Sequence, residues 1–329
     1  MPALPFFFAR FFFPRVVFLG LLWLASCGWT SAAAAQPPIT CLATAADGQI
    51  VLAGSQAGLV CLTGRELQVH RRWSAPFANL HDLAFSPDGQ TLAVAGGDPA
   101  DMGHIEILSW PELRLQQRLQ GHDDSVLALQ WLDNHRLASA SLDRRIILWD
   151  VPQATPLHTL EGHSRGVTAL AYLAQADVLI SGGWDHSLRV WHAGSGQLQR
   201  SLNIHTQAVH AVALRPDTEG LPMIASCSDD RTVRLWQPTI GRMVRFIRLP
   251  ARPLGLCWMD QGTWIAAGCD DGSVYAIDPQ EVQIIQQFSG IQAGWVYAIA
   301  AAPDNLGLLV GGSGGEVKWI DPPVTPATP

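Results

Sequence analysis

The chain has 329 residues, with 21 lysines and arginines against 28 aspartates and glutamates, a formal net charge of −7 and a single lysine, Lys318. That acidic balance, with no basic stripe apparent, argues against nucleic acid as a partner. Six cysteines are present, with no C-x-x-C pair, which argues against a dithiol redox site or a haem attachment.

In chain order, residues 1–35 come first and differ from the rest. Arg10 and Arg15 precede an apolar run from Val16 to Ala25, and small residues follow, ending Ala33, Ala34, Ala35. A positive start, a short apolar core and an A-x-A site form the pattern of a secretory signal peptide. The tetrapeptide from Leu24 to Cys27 offers a second reading: a lipoprotein leader ending at residue 26, with Cys27 lipidated and the chain anchored to a membrane. Both readings predict an extracytoplasmic location, in a bacterial periplasm or envelope, soluble or lipid-anchored. They bound a domain at 36–321, followed by a Pro-rich tail at 322–329.

Within that domain one sentence is repeated. LQGHDDSVLALQWLDNHRLASASLDRRIILWD, from Leu119 to Asp150, is followed by LEGHSRGVTALAYLAQADVLISGGWDHSLRVW, from Leu160 to Trp191. The first apolar residue after each Gly-His, or its counterpart, is Ile39, Leu80, Val126, Val167, Val209, Pro253 and Val296, a period of about 43 residues. The segments after these anchors alternate with period two, as strands do, and lack the i, i+3, i+4 spacing of helical repeats. Turn sequences recur at one point in the repeats: Asp47-Gly48, the Ser86 to Gly89 tetrapeptide, Asp133-Asn134, Asp217, Asp260 to Gly262, and Asp304-Asn305. The expected fold is all-β, a seven-bladed propeller of four-stranded antiparallel blades, of which the last can be three-stranded, with essentially no helix after Ala35.

Three successive strings, GHDDSVLALQW…LASASLDRRIILWD, GHSRGVTALAY…LISGGWDHSLRVW and IHTQAVHAVAL…IASCSDDRTVRLW, carry a resemblance to the WD-repeat β-propeller family, in an exported bacterial-type form. The resemblance runs from about Pro37 to Asp321. It implies a structural hydrogen-bond tetrad in each of three repeats: His122, Ser139, Asp143 and Trp149; His163, Ser181, Asp185 and Trp191; His205, Ser226, Asp230 and Trp236. The chemistry suits burial, since Trp donates to Ser, Ser to His and His to Asp, and no polar group is left orphaned. The other four repeats are degenerate. The sixth, for instance, keeps Asp271 but has Ile277 in place of the Trp.

Catalytic motifs are missing: there is no P-loop, no G-x-S-x-G and no H-E-x-x-H. The residues one after each anchor are Thr40, His81, Leu127, Thr168, His210, Leu254 and Tyr297, a ring too apolar for a metal or a carboxylated cofactor. Asp229 and Asp270 are expected to be exposed beside the turn aspartates Asp230 and Asp271. The cysteines are expected to be reduced and buried. No catalytic residue, cofactor or metal is therefore expected, and the chain reads as a monomeric, non-catalytic scaffold for a protein or peptide partner. The resemblance places that partner on the top face, made by the loops entering the inner strands and by the tetrad turns. Trp184, Trp295 and Arg165 fall in those loops and are the candidate contact residues. The alternative function is an exported enzyme or cofactor-binding propeller using the central channel.

Overall fold

The computed structural model describes residues 36–323, apart from 46–49, 75–76, 78, 99, 101, 217–219, 293 and 303–306. The leader, Cys27, the end of the tail and the turns at Asp47, Asp217 and Asp304 lie outside the described residues.

Every anchor residue begins an inner strand: Ile39–Thr44, Leu80–Phe85, Val126–Trp131, Val167–Leu173, Val209–Leu214, Pro253–Met259 and Val296–Ala301. From each, the chain steps outward through antiparallel neighbours, so that blade one is Ile39–Thr44, Ile50–Ser55, Gly58–Thr63 and Gln68–Trp73 in that order. Successive inner strands pack side by side, and the last packs against the first, closing a ring of seven. Helix is confined, among the described residues, to two single 3₁₀ turns, Ala174–Ala176 and Asp260–Gly262.

Burial follows the layering. Second strands such as Val178–Gly183 are buried throughout, because a neighbouring blade covers each face. Outer strands such as Gln197–Leu202 are exposed almost throughout. The blades converge toward the axis, so small residues are needed at the seams. A Cβ on Gly182 would lie 2.7 Å from Val209 Cγ1 of the next blade, and one on Gly268 would lie 2.4 Å from Val296 Cγ1.

The seventh blade has three strands, Val296–Ala301, Leu308–Gly312 and Val317–Ile320. Asp321, Pro322 and Pro323 follow its third strand, and proline has no backbone N–H with which to extend a ladder. Arg65 of blade one spans the closing seam, pairing with Asp321 and lying over the Trp319 ring, 5.6 Å from its centroid.

Each inner strand carries the same irregularity. Its register with the second strand shifts between the anchor and the residue two further on. The residue between them is bulged in all seven blades, and these seven are Thr40, His81, Leu127, Thr168, His210, Leu254 and Tyr297. A bulge re-aims its side chain, and all seven residues line the cavity at the centre of the ring.

Candidate functional site

The twelve tetrad residues come together in three sets. Trp149 Nε1 donates to Ser139 Oγ at 2.8 Å, the serine meets His122 Nε2 at 2.8 Å, and His122 Nδ1 meets Asp143 at 2.8 Å. Trp191, Ser181, His163 and Asp185 repeat this at 2.9, 2.8 and 2.9 Å. Trp236, Ser226, His205 and Asp230 do so at 2.8 Å throughout. The tryptophans are at most 2% exposed and the serines fully buried. Burial alone would raise the aspartates, but the histidine bonds and the backbone N–H groups of Asp123, Ser164 and Thr206 outweigh it, holding all three well below the usual carboxylate range. For His205 burial dominates and lowers the imidazole's affinity for a proton. Each tetrad thus pins the loop entering an inner strand to the turn between the second and third strands, and so shapes the top face.

Two large apolar rings stand on that face. Trp184, next to Asp185, is 40% exposed, and Trp295, next to Val296, is 45% exposed. Their backbones are fixed: Trp184 N–H donates to Gly166 O at 2.9 Å, and Trp295 N–H donates to Ser313 Oγ at 2.9 Å. Trp295 also meets Tyr297 edge-on, with centroids 5.8 Å apart, and so leads from the face into the channel. Arg165 is exposed in the loop leading to Gly166.

Between the two tryptophans, on blades five and six, lies a charged group that the sequence did not disclose. Arg252 Nε pairs with Asp270 at 2.7 Å, and its guanidinium lies 3.8 Å from Asp229. Asp229 in turn lies 2.9 Å from His210 Nε2, with the ring turned so that no N–H···O bond forms along that line. Asp229 and Asp270, expected to be exposed, have side chains only 28% and 19% accessible, because Arg252 covers them.

The central cavity, of about 240 Å³, holds one further residue that was missed. Asp82 stands two after its anchor, where the other repeats have Cys41, Ala128, Ala169, Ala211, Gly255 and Ala298. Burial raises its carboxyl to about 7, against bonds from Leu129 N–H at 2.7 Å and Leu83 N–H at 2.8 Å. His81 also lines the cavity, and burial lowers its affinity for a proton. The cavity's Thr40 and Thr168 hydroxyls donate to carbonyl oxygens of the strands around it, those of Gly54, Leu80, Gly182 and Val209. No group of three or more His, Cys, Asp or Glu able to hold a metal ion occurs among the described residues. The five described cysteines are free thiols, four of them buried, and burial pushes Cys257 up to about 11.

Residues 113–150, 154–192, 196–237 and 251–278 match the family described as WD domain, G-beta repeat. These four segments are similar to WD40 repeats and make up somewhat under half of the chain. The fold is a seven-bladed propeller, four segments of which match the WD-repeat model, and these include the sixth blade, whose tetrad is incomplete. Among its relatives is nuclear distribution protein PAC1-1 of Uncinocarpus reesii, 32% identical over 39% of this chain and 28% of that protein. SIR4-interacting protein SIF2 of Saccharomyces cerevisiae is 25% identical over 60% of this chain and 38% of that protein. B-type cell cycle switch protein ccs52B of Medicago truncatula is 26% identical over 56% and 37%. The matched region spans little more than a third, at most, of each of these relatives.

These relatives overturn the expected location. They come from a fungus, a yeast and a plant, and their names concern nuclear distribution, interaction with SIR4 and cell-cycle switching, pointing away from a bacterial periplasm or envelope. The bacterial-type label on the family resemblance falls with it. The expectation rested on two arginines ahead of a short apolar run, a compositional pattern that owes nothing to the propeller itself.

Proposed function

We propose that this WD-repeat propeller is a non-catalytic interaction scaffold, acting as a single ring, whose top face holds a protein or peptide partner. Trp184, Trp295 and Arg165 contribute most of the contact energy. One observation carries the reading: two half-exposed tryptophans stand on one face with their backbones locked, and exposed aromatics that need no ordering on binding are what interface hot spots use. They stand on blades four and seven, and the Arg252, Asp229 and Asp270 group on blades five and six joins them in an arc along the channel mouth. A partner on this arc buries apolar groups at both ends and meets charge in the middle. The name of SIF2, a SIR4-interacting protein, fits a binding role for this architecture.

The test is the Trp184→Ala, Trp295→Ala double variant, with melting behaviour equal to wild type as the control for folding. Loss of the native partner supports the top-face reading. Capture with wild-type affinity contradicts it.

A further inference from the structure

The whole-chain balance of −7 hides a local reversal. From Arg231 to Met259 there are six arginines, Arg231, Arg234, Arg242, Arg245, Arg248 and Arg252, and no acidic residue. In the structure this segment is the third and outer strands of blade five and the start of blade six. Two of the six are occupied. Arg234 reaches Asp230 at 3.3 Å and lies over the Phe246 ring, and Arg252 pairs with Asp270. The other four are exposed, and no carboxylate pairs with them among the described residues. Arg245 donates only to carbonyl oxygens, those of Pro279 and Gln280.

Three of these four arginines stand on one strand, Arg242–Arg248, with the sequence RMVRFIR. It is the outermost strand of its sheet, paired only with Thr232–Gln237, so its outer row of backbone N–H and C=O groups faces solvent. Phe246 in its middle is 50% exposed, and Ile240 in the turn before it is 48% exposed. Arg231, whose carbonyl accepts from Leu249 N–H, extends the basic row at one end. Exposed Arg200 of blade four extends it at the other, its side chain lying against Gly241.

Charge on an edge strand can simply discourage edge-to-edge pairing. That explanation would apply to every blade, and it does not. The outer strand of blade six, Gln283–Ser289, has no charged residue, and that of blade three, Thr155–Glu161, has no arginine. The outer strands of blades one, two and four carry arginines too, Arg71 and Arg72, Arg118 and Arg200, but only that of blade five carries three, none of them paired with a carboxylate among the described residues.

We infer that the outer strand of blade five is a second docking surface, which takes an acidic, extended peptide segment as an added strand. The backbone edge supplies the pairing, Arg242 and Arg245, which the register with Gln237 and Leu235 puts on one face, meet alternate carboxylates, and Phe246 on the other face receives an apolar side chain. The strand spans roughly 20 Å, room for a segment of its own length. A polyanion such as RNA or a lipid surface could use the arginines but not the ladder, and the acidic remainder of the chain repels an extended polyanion. This surface lies on the side of the ring, apart from Trp184 and Trp295, so the scaffold can hold two partners at once.

The test uses the full chain and a fluorescent peptide of alternating Glu and Val. Wild type binds it, and Arg242→Glu with Arg245→Glu weakens binding about tenfold or more, as loss of charge-assisted contacts requires. The same peptide with alternate backbone nitrogens methylated binds comparably weakly, and Trp184→Ala with Trp295→Ala leaves binding unchanged. Both substituted arginines are exposed, so melting behaviour is unchanged. The inference is overturned if wild type does not bind the peptide, if the arginine variant binds as wild type does, or if the methylated peptide binds equally well. Tighter binding of oligouridylate, or of vesicles of equimolar phosphatidylcholine and phosphatidylserine, also overturns it.

Discussion

Asp82 Oδ2 accepts the backbone N–H of Leu129 at 2.7 Å, across the seam between the inner strands of blades two and three. At the equivalent position every other blade has alanine, glycine or cysteine. One seam of the ring is therefore held by a carboxyl group that pairs with no basic side chain among the described residues, and it stands in the wall of the central cavity.

That relationship sets a pH dependence. The Asp82 carboxyl is raised from 3.8 to about 7 in the folded chain, so the fold favours its protonated form. Its contribution to stability is complete below the unfolded value and is lost as pH rises through the interval up to about 7. Chemical denaturation across that interval should show wild type losing stability relative to Asp82→Asn, whatever offset the substitution itself introduces. Parallel curves for the two proteins would contradict this account.

The tetrad aspartates act in the opposite sense and lower in pH. Asp143 is held below its ordinary value, so its contribution is present at neutral pH and disappears as pH falls below about 4. Asp143→Asn should be less stable than wild type at pH 7, and the gap should narrow in acid. A constant gap from neutral to strongly acidic pH would show that the carboxylate's charge is not what stabilises the tetrad.

Trp191→Ala should cost more than Trp110→Ala. Trp191 is 2% exposed and bonded to Ser181, so truncation leaves a cavity and an unpaired hydroxyl, about 3–5 kcal/mol. Trp110 is only partly buried against Phe85 and belongs to no tetrad. Equal denaturant midpoints for the two variants would contradict this ranking.

A second kind of tryptophan holds the ring together. Trp131 Nε1 donates to Ala84 O, and Trp258 Nε1 to Ala213 O, each at 3.0 Å and each reaching into the preceding blade. Trp131→Phe should therefore cost about 1 kcal/mol or more by leaving a part-buried carbonyl without its donor. Because the bond crosses a seam, hydrogen exchange should rise in both Leu80–Phe85 and Val126–Trp131. A change confined to the second strand would refute the cross-seam role.

The seven inner strands were legible because each begins at an anchor residue of fixed period, and the three tetrads because their residue types recur at fixed spacing. Asp82, Trp131 and the group formed by Arg252, Asp229 and Asp270 were not. Asp82 and Trp131 act across a seam on residues roughly one repeat away, and Arg252 joins Asp270 of its own blade to Asp229 of the preceding one, so a pattern read within a repeat does not register them. The one faint signal was positional: Trp131 and Trp258 both stand five residues after their anchors. The basic segment from Arg231 to Met259 escaped because whole-chain charge averages it away.

The central claim is that partners bind the top face through Trp184 and Trp295. It is tested most directly by site-specific photocrosslinking, with a benzophenone amino acid placed in turn at Trp184, at Trp295 and at Gln153, an exposed position in the turn after Asp150 on the opposite face. The account predicts covalent capture of the native partner from the two tryptophan positions and none from Gln153. Capture from Gln153 alone would contradict it.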